Sequence, residues 1–279
     1  MEYDTNSAAC RRMPSVWRST YVAALAALMF GGLSAISSAS AEVPAGCATQ
    51  FGPLLRDFRQ PPNLDLFKRE LLYYRCTRYD IDVALVLQDA QKWVAERAPQ
   101  VNKPAIVLDI DETSLSNWKR IYTDDFAYIQ NGPCDFAKKH EACGDISWQR
   151  SGEAPAIGPT RDLYNFARCR IAASPCTLVE VFFVTGRHES DARVDGRTPT
   201  EWTLENLRNA KYEGVSPDHL YMRPANSSGP VSDYKAAARA DIEKHGFTII
   251  ANIGDQDSDL AGGHAERTFK VPNPFYFIP

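Results

Sequence analysis

The stretch KPAIVLDIDETSLSNW, Lys103 to Trp118, decides the fold. Ile106, Val107 and Leu108 are a short apolar run of the kind that makes a buried strand, and Asp109 and Asp111 follow where such a strand leaves the core for a loop. Two like charges this close are costly unless something positive sits between them. On an extended segment, residues two apart point the same way, so Asp109 and Asp111 share one side and Ile110 takes the other.

Outward from this stretch, the strand-then-helix pattern recurs. TLVEVFFVTGR (Thr177 to Arg187) reads as a second strand, followed by a helix from Pro199 to about Glu213. HLYMRP (His219 to Pro224) is a third, and the helix VSDYKAAARADIEKHG follows it, with Ser232 or Asp233 as cap and Gly246 as stop. FTIIANIGD (Phe247 to Asp255) is a fourth strand and TFKVP a fifth. Alternation of this kind predicts an α/β fold: a doubly wound, Rossmann-like parallel sheet with helices on both faces. In such a sheet, ligands bind in the crevice at the carboxyl ends of the strands. Topology alone then gathers Asp109, Asp111, Thr185, Asp255 and Asp259 at one edge, with Lys235 reaching it from the helix after the third strand.

The chain has 279 residues, 44% hydrophobic and 24% charged, the composition of a globular protein, and its formal charge of −4 gives no electrostatic footing for coating a nucleic-acid polymer. Arg11, Arg12 and Arg18 precede an apolar run from Tyr21 to Phe30 and a small-residue ASA site, the layout of a secretory signal over residues 1–41. That run is shorter than the roughly 20 residues a bilayer span needs, so stable membrane insertion is not expected after cleavage. An uncleaved anchor and a lipoprotein linked at Cys47 are the alternatives. Residues 42–103 read as an N-terminal helical segment, with helices over Leu64 to Tyr74 and Tyr79 to Ala98, and 104–279 as the core domain. An aromatic-rich insertion over 114–158 follows the first strand; it is read either as a cap over the strand ends or as a surface loop pinned by a disulfide. Export to a periplasmic or extracellular space permits disulfides, and Cys47, Cys76, Cys134, Cys143, Cys169 and Cys176 form an even set. Pairing of nearest neighbours is the expected connectivity among the 15 allowed.

VLDIDET, VFFVTGR, the lysine of DYKAAAR and IGDQDSDL stand in the order of the four motifs of haloacid dehalogenase-superfamily phosphatases. DIDETSLSNW with KVPNPFYFIP resembles the secreted acid phosphatase branch related to bacterial class C enzymes and plant vegetative storage proteins. The resemblance runs from about Leu64 onward. It implies a Mg²⁺-dependent acid phosphatase for small phosphomonoesters, with nucleoside monophosphates as a candidate preferred class. By position, it implies Asp109 as nucleophile and Asp111 as acid and base, the latter also offering its backbone carbonyl to the metal. Thr185 and Lys235 would hold the phosphoryl group, Asp255 would bind the metal, and Asp259 would support it from behind. The rival reading is a non-catalytic storage or binding protein on the same fold; dehalogenation or phosphonate cleavage is disfavoured by the acid at Asp111. A calcium loop over Asp255 to Glu266 fails because Leu260 stands where glycine is needed. Arg187, His188 and Glu189 follow Thr185 and are left open between touching substrate and stabilising the loop; His264 has no assigned role.

Overall fold

The computed structural model describes residues 63–138, 141–169 and 177–278. The expected leader, the Cys47 lipidation site and Cys176 lie outside them. The chain divides into two compact units at Ile81/Asp82. Within the first, helix α1 (Leu64–Thr77) is capped by Asn63, whose side chain accepts from Asp65 N at 2.8 Å. Helix α2 (Tyr79–Arg97) runs across the division and carries Val83, Leu87, Ala90 and Val94 as a buried stripe at helical spacing.

The second unit is built on a sheet of β1 (Pro104–Leu108), β2 (Glu180–His188), β3 (Leu220–Arg223), β4 (Thr248–Gly254) and β5 (Thr268–Lys270). Their order is β3-β2-β1-β4-β5 and every neighbouring pair is parallel. The fold is thus the α/β doubly wound sheet expected from the strand–helix alternation. β1 is the central strand, and all five of its residues are buried, as a strand covered on both faces and paired on both edges must be. Adjacent residues of β2 show how the two faces are covered. Phe182 joins Ala105, Val107, Val184 and Ile249 against Ala238 and Ile242 of α7 (Val231–Lys244). Phe183 points the other way, 6.0 Å from Tyr164 of α5 (Gly158–Ala167) and 5.5 Å from Tyr212, ring centre to ring centre. Trp93 of α2 donates to the Ile250 carbonyl of β4 at 2.7 Å.

Two features depart from the sequence expectation. The crossover from β1 to β2 contains α5, a helix the sequence reading did not assign after the insertion; its Thr160, Leu163, Tyr164 and Ala167 form the buried side. The helix expected to reach Glu213, α6 (Pro199–Asn209), stops earlier. Lys211 takes φ +70°, a left-handed turn that ends the helix and swings Tyr212 into the core. The insertion itself holds two short helices, α3 (Trp118–Thr123) and α4 (Asp145–Ser151). Cys134 and Cys143 are bonded within it. Cys76 and Cys169 each also take part in a disulfide. Among the described residues no helix is long and apolar enough to cross a membrane.

Candidate active site

The strand order reverses between β1 and β4, and the carboxyl ends of these two strands are where the charged residues meet. Leu108 of β1 pairs with Phe183 on one side and Ile253 on the other. Thr185 and Asp255, each two residues further on, therefore flank the Asp109–Asp111 segment at one height. Asp109 keeps the strand direction by donating its N–H to the Ile253 carbonyl at 2.9 Å.

The loop after Asp109 is tied down at almost every residue. The Ile110 carbonyl accepts from Ser114 N at 2.9 Å and Leu115 N at 2.7 Å, while Ser114 Oγ returns to the Asp109 carbonyl at 2.6 Å. Glu112 sits at φ +57°, a conformation that costs about 1 kcal/mol or more for a residue with a Cβ. Its buried carboxylate repays this by accepting from Asn117 N. Thr160 Oγ1 and Tyr212 OH donate to the carbonyls of Thr113 and Ser114 at 2.6 and 2.8 Å, so the loop is clamped from α5 and from the end of α6.

Asp109, Asp255 and Asp259 each present an oxygen within 4.8 Å of the others. All three are buried, as is Lys235, at 3–6% exposure. Lys235, on the face of α7 turned to the sheet, donates to Asp109 Oδ1 and Asp259 Oδ1, each at 2.5 Å. One turn on, Arg239 donates to the carbonyls of Asp259, Ala261 and Gly263, fixing the loop around α8 (Asp257–Leu260). Gly254 is required by this close approach, since a Cβ there would fall inside the Asp259 side chain. Asp255 is held by Thr113 Oγ1 on Oδ1 (2.9 Å) and by Gln256 Nε2 and Asn273 Nδ2 on Oδ2 (2.6 and 2.7 Å). Asp259, expected behind the metal, places its carboxylate within the cluster, where Gln256 N also donates to it at 2.8 Å.

Three buried carboxylates against one ammonium leave two negative charges in excess. Burial pushes the Asp109 carboxyl well up, and Asp259, Asp255 and Asp111 push the same way against Lys235. Asp255 is raised to about 6, by burial first and Asp259 next. Burial pulls Lys235 down, but Asp109 and Asp259 outweigh it and hold the ammonium charged. The all-oxygen donor set and the uncompensated charge fit a hard divalent cation.

Asp111 lies beside this group in a different environment. Arg187, with its side chain 1% exposed, grips the carboxylate through Nη2 on Oδ1 (2.7 Å) and Nε on Oδ2 (2.9 Å). Asn117 Nδ2 adds a bond to Asp111 Oδ1 at 2.9 Å, and Asn117 Oδ1 is itself held by Trp148 Nε1 at 2.7 Å. Burial would raise this carboxyl; Arg187, Asn117 and Arg120 outweigh it and hold it below the usual range.

Sequence reading left Arg187 uncommitted and did not single out Asn117, Thr113, Gln256 or Asn273 as site residues. All five stand inside stretches that carried the resemblance: Arg187 in VFFVTGR, Thr113 and Asn117 in DIDETSLSNW, Gln256 in IGDQDSDL and Asn273 in KVPNPFYFIP. Thr185 is fully buried in the second half of β2, its Oγ1 accepting from Arg187 N at 3.1 Å. His188 is exposed with its ring near the Pro224 carbonyl, and His264 pairs with Glu243.

The chain is similar to several known proteins. Acid phosphatase 1 of Solanum lycopersicum is 33% identical over 177 residues, covering 62% of this chain and 58% of that protein. Stem 28 kDa glycoprotein of Glycine max is 33% identical over 180 residues, 63% and 61% of the two chains. Vegetative storage protein 1 of Arabidopsis thaliana is 34% identical over 177 residues, 62% and 55%. The chain thus spans less than two thirds of the length of these relatives. The class C acid phosphatase from Bacillus anthracis superposes with a TM-score of 0.54 over 75% of this chain and 86% of that one; at 17% identity the likeness is one of fold. The model of the HAD superfamily, subfamily IIIB (acid phosphatase), matches residues 65–279, and the chain belongs to that family.

Proposed function

We propose that the protein is an exported, Mg²⁺-dependent acid phosphatase that hydrolyses small phosphomonoesters through an aspartyl-phosphate on Asp109. Nucleoside monophosphates are the candidate preferred class. The observation that carries this reading is Asp109 itself: a buried carboxylate at the switch point of the sheet, 2.5 Å from an ammonium and grouped with two further carboxylates.

In the first step an Asp109 oxygen attacks phosphorus in line with the ester oxygen, and the P–O bond to the leaving alcohol breaks. Lys235 neutralises charge on the nucleophile and on the phosphoryl oxygens. Thr185, whose oxygen accepts from Arg187 N, keeps its O–H to donate to a phosphoryl oxygen. Asp109, Asp255 and the Asp111 carbonyl, with Asp259 close by, would hold a magnesium ion, which would supply positive charge against the developing negative charge. Asp111 gives its proton to the leaving oxygen and, as the carboxylate, later takes one from the water that cleaves the aspartyl-phosphate. Because Arg187 and Asn117 favour the ionised form, the protonated fraction grows only as pH falls. The reading therefore expects an optimum below neutrality.

A second reading has one observation in its favour, the likeness to vegetative storage protein 1 of Arabidopsis thaliana: a protein of this fold kept for storage or binding. The presence of Asp109 separates the two. The test is turnover of p-nitrophenyl phosphate by the mature chain at about pH 5 to 6, the range set by a carboxylic acid shuttle. Turnover abolished by EDTA and restored by Mg²⁺ is expected. No turnover with any divalent metal between acid and neutral pH would remove the enzymatic reading and leave the storage one.

A further inference from the structure

The segment after β5 belongs to no sequence motif of the site, yet it lies against the loop that follows β4. Val271 N donates to the Gly254 carbonyl at 2.9 Å, bringing the chain alongside Asp255. Asn273 then turns in: its Nδ2 donates to Asp255 Oδ2 at 2.7 Å while its Oδ1 accepts from Phe275 N at 2.9 Å. Gln256 completes the clasp, its Nε2 bonded to the same Asp255 oxygen and its Oε1 accepting from Ile278 N at 3.0 Å. Phe275 anchors the segment on Trp118 of α3, with ring centres 5.0 Å apart.

The geometry points to Asn273 as a positioning residue for Asp255 in cation binding, an assignment that rests on the metal reading of the aspartate cluster. A carboxylate offers about four acceptor positions on its two oxygens. Three are taken here, by Thr113, Gln256 and Asn273. Two of the donors saturate Oδ2, so the remaining position is on Oδ1, the oxygen that Thr113 of the Asp109 loop also touches. Asn273 thus fixes which oxygen of Asp255 faces the cluster and prevents the carboxylate from rotating toward the amide side. Outer partners of this kind carry about 10- to 100-fold in metal affinity when removed.

Asn273→Ser is the discriminating variant. The hydroxyl still accepts from the backbone N–H two residues on, preserving the turn, but is too short to reach Asp255. Calorimetric titration with Mg²⁺, and with Mn²⁺ as a second probe, should show the dissociation constant raised about tenfold. The melting temperature in EDTA should stay at the wild-type value, and the Mg²⁺ concentration for half-maximal turnover should rise while the rate at saturating Mg²⁺ recovers. Phe275→Leu serves as control, since it loosens the anchor on Trp118 without touching Asp255, and should change metal affinity less than Asn273→Ser. Equal losses in the two variants would mean that the segment acts by packing alone, and unchanged affinity in Asn273→Ser would also overturn the assignment. Absence of cation binding by the wild-type chain would instead defeat the metal reading on which it stands.

Discussion

Two groups of carboxylates lie within a few residues of each other and are compensated in opposite ways. Asp109, Asp255 and Asp259 are buried together with one ammonium among them, and burial and mutual repulsion push Asp109 and Asp255 up. Asp111, with its side chain 25% exposed, has a guanidinium and an amide to itself and is held down. The first environment lacks positive charge and invites a cation; the second already has its countercharge and keeps one carboxylate in place. Sequence spacing alone, two aspartates one residue apart, does not separate them. What separates them is which distant side chain arrives: Lys235 from α7 on one side, Arg187 from β2 on the other.

The largest effect is expected from removing the ammonium. Lys235→Met leaves the three carboxylates uncompensated, and in EDTA the protein should lose about 3–5 kcal/mol of stability in urea unfolding, the usual cost of breaking a buried ion pair. Asp111 is the weakest of the charges that raise Asp109, so a nearly equal destabilisation in an Asp111→Asn background would show that the two groups are largely independent. Strong coupling between the variants would merge them into one network.

Arg187→Gln breaks the other half. The carboxylate keeps Asn117 but loses its orienting fork, and turnover of alkyl phosphates should fall about 100-fold, the scale of a misplaced catalytic group. Activated aryl phosphates, which need less help from an acid, should lose less. Equal losses on both would place Arg187 in binding the phosphoryl group rather than in setting Asp111.

The smallest and sharpest effect is in the pH dependence of stability. Asp255 is raised in the folded state, so its contribution is fully present below the unfolded carboxylate value near about 3.9 and is lost as pH rises through about 6. Asp111 is lowered, so its contribution is present above that unfolded value and lost as pH falls through the folded one. In EDTA, Asp255→Asn should therefore raise the melting temperature at pH 7 and change little near pH 4, whereas Asp111→Asn should lower it at pH 7. The same sign for both at pH 7 would erase the distinction between the groups. Mg²⁺ should stabilise the wild-type chain more at pH 7 than at pH 5, because protons compete with it for Asp255.

The fold was legible because β1, β2 and β4 are continuous apolar runs ending in polar residues, and buried parallel strands can hardly be written otherwise. Asp109, Lys235 and Asp255 were legible for the same reason: strand ends and the helix face after a strand converge by topology. Arg187 and Asn117 were not, because their value lies in contacts across a folded loop. Arg187 meets Asp111 from 76 residues away, and Asn117 is oriented by Trp148 from the insertion, 31 residues on. Helix α5 was hidden for a different reason: its ten residues follow the insertion directly, with no change of composition to mark the join. Asn273 stands in KVPNPFYFIP, a stretch that carried the resemblance without marking any one residue for the site, and Phe275 on Trp118 shows that part of it serves packing.

The most direct measurement is to mix the Mg²⁺-loaded protein with a rapidly cleaved aryl phosphate, quench in acid within the first turnover, and map the phosphorylated peptide by mass spectrometry. The account predicts a phosphoryl group on the peptide carrying Asp109, absent in Asp109→Asn and retained in Asp255→Asn at reduced yield. Hydrolysis with no phosphorylated Asp109 peptide, or turnover surviving in Asp109→Asn, would contradict it.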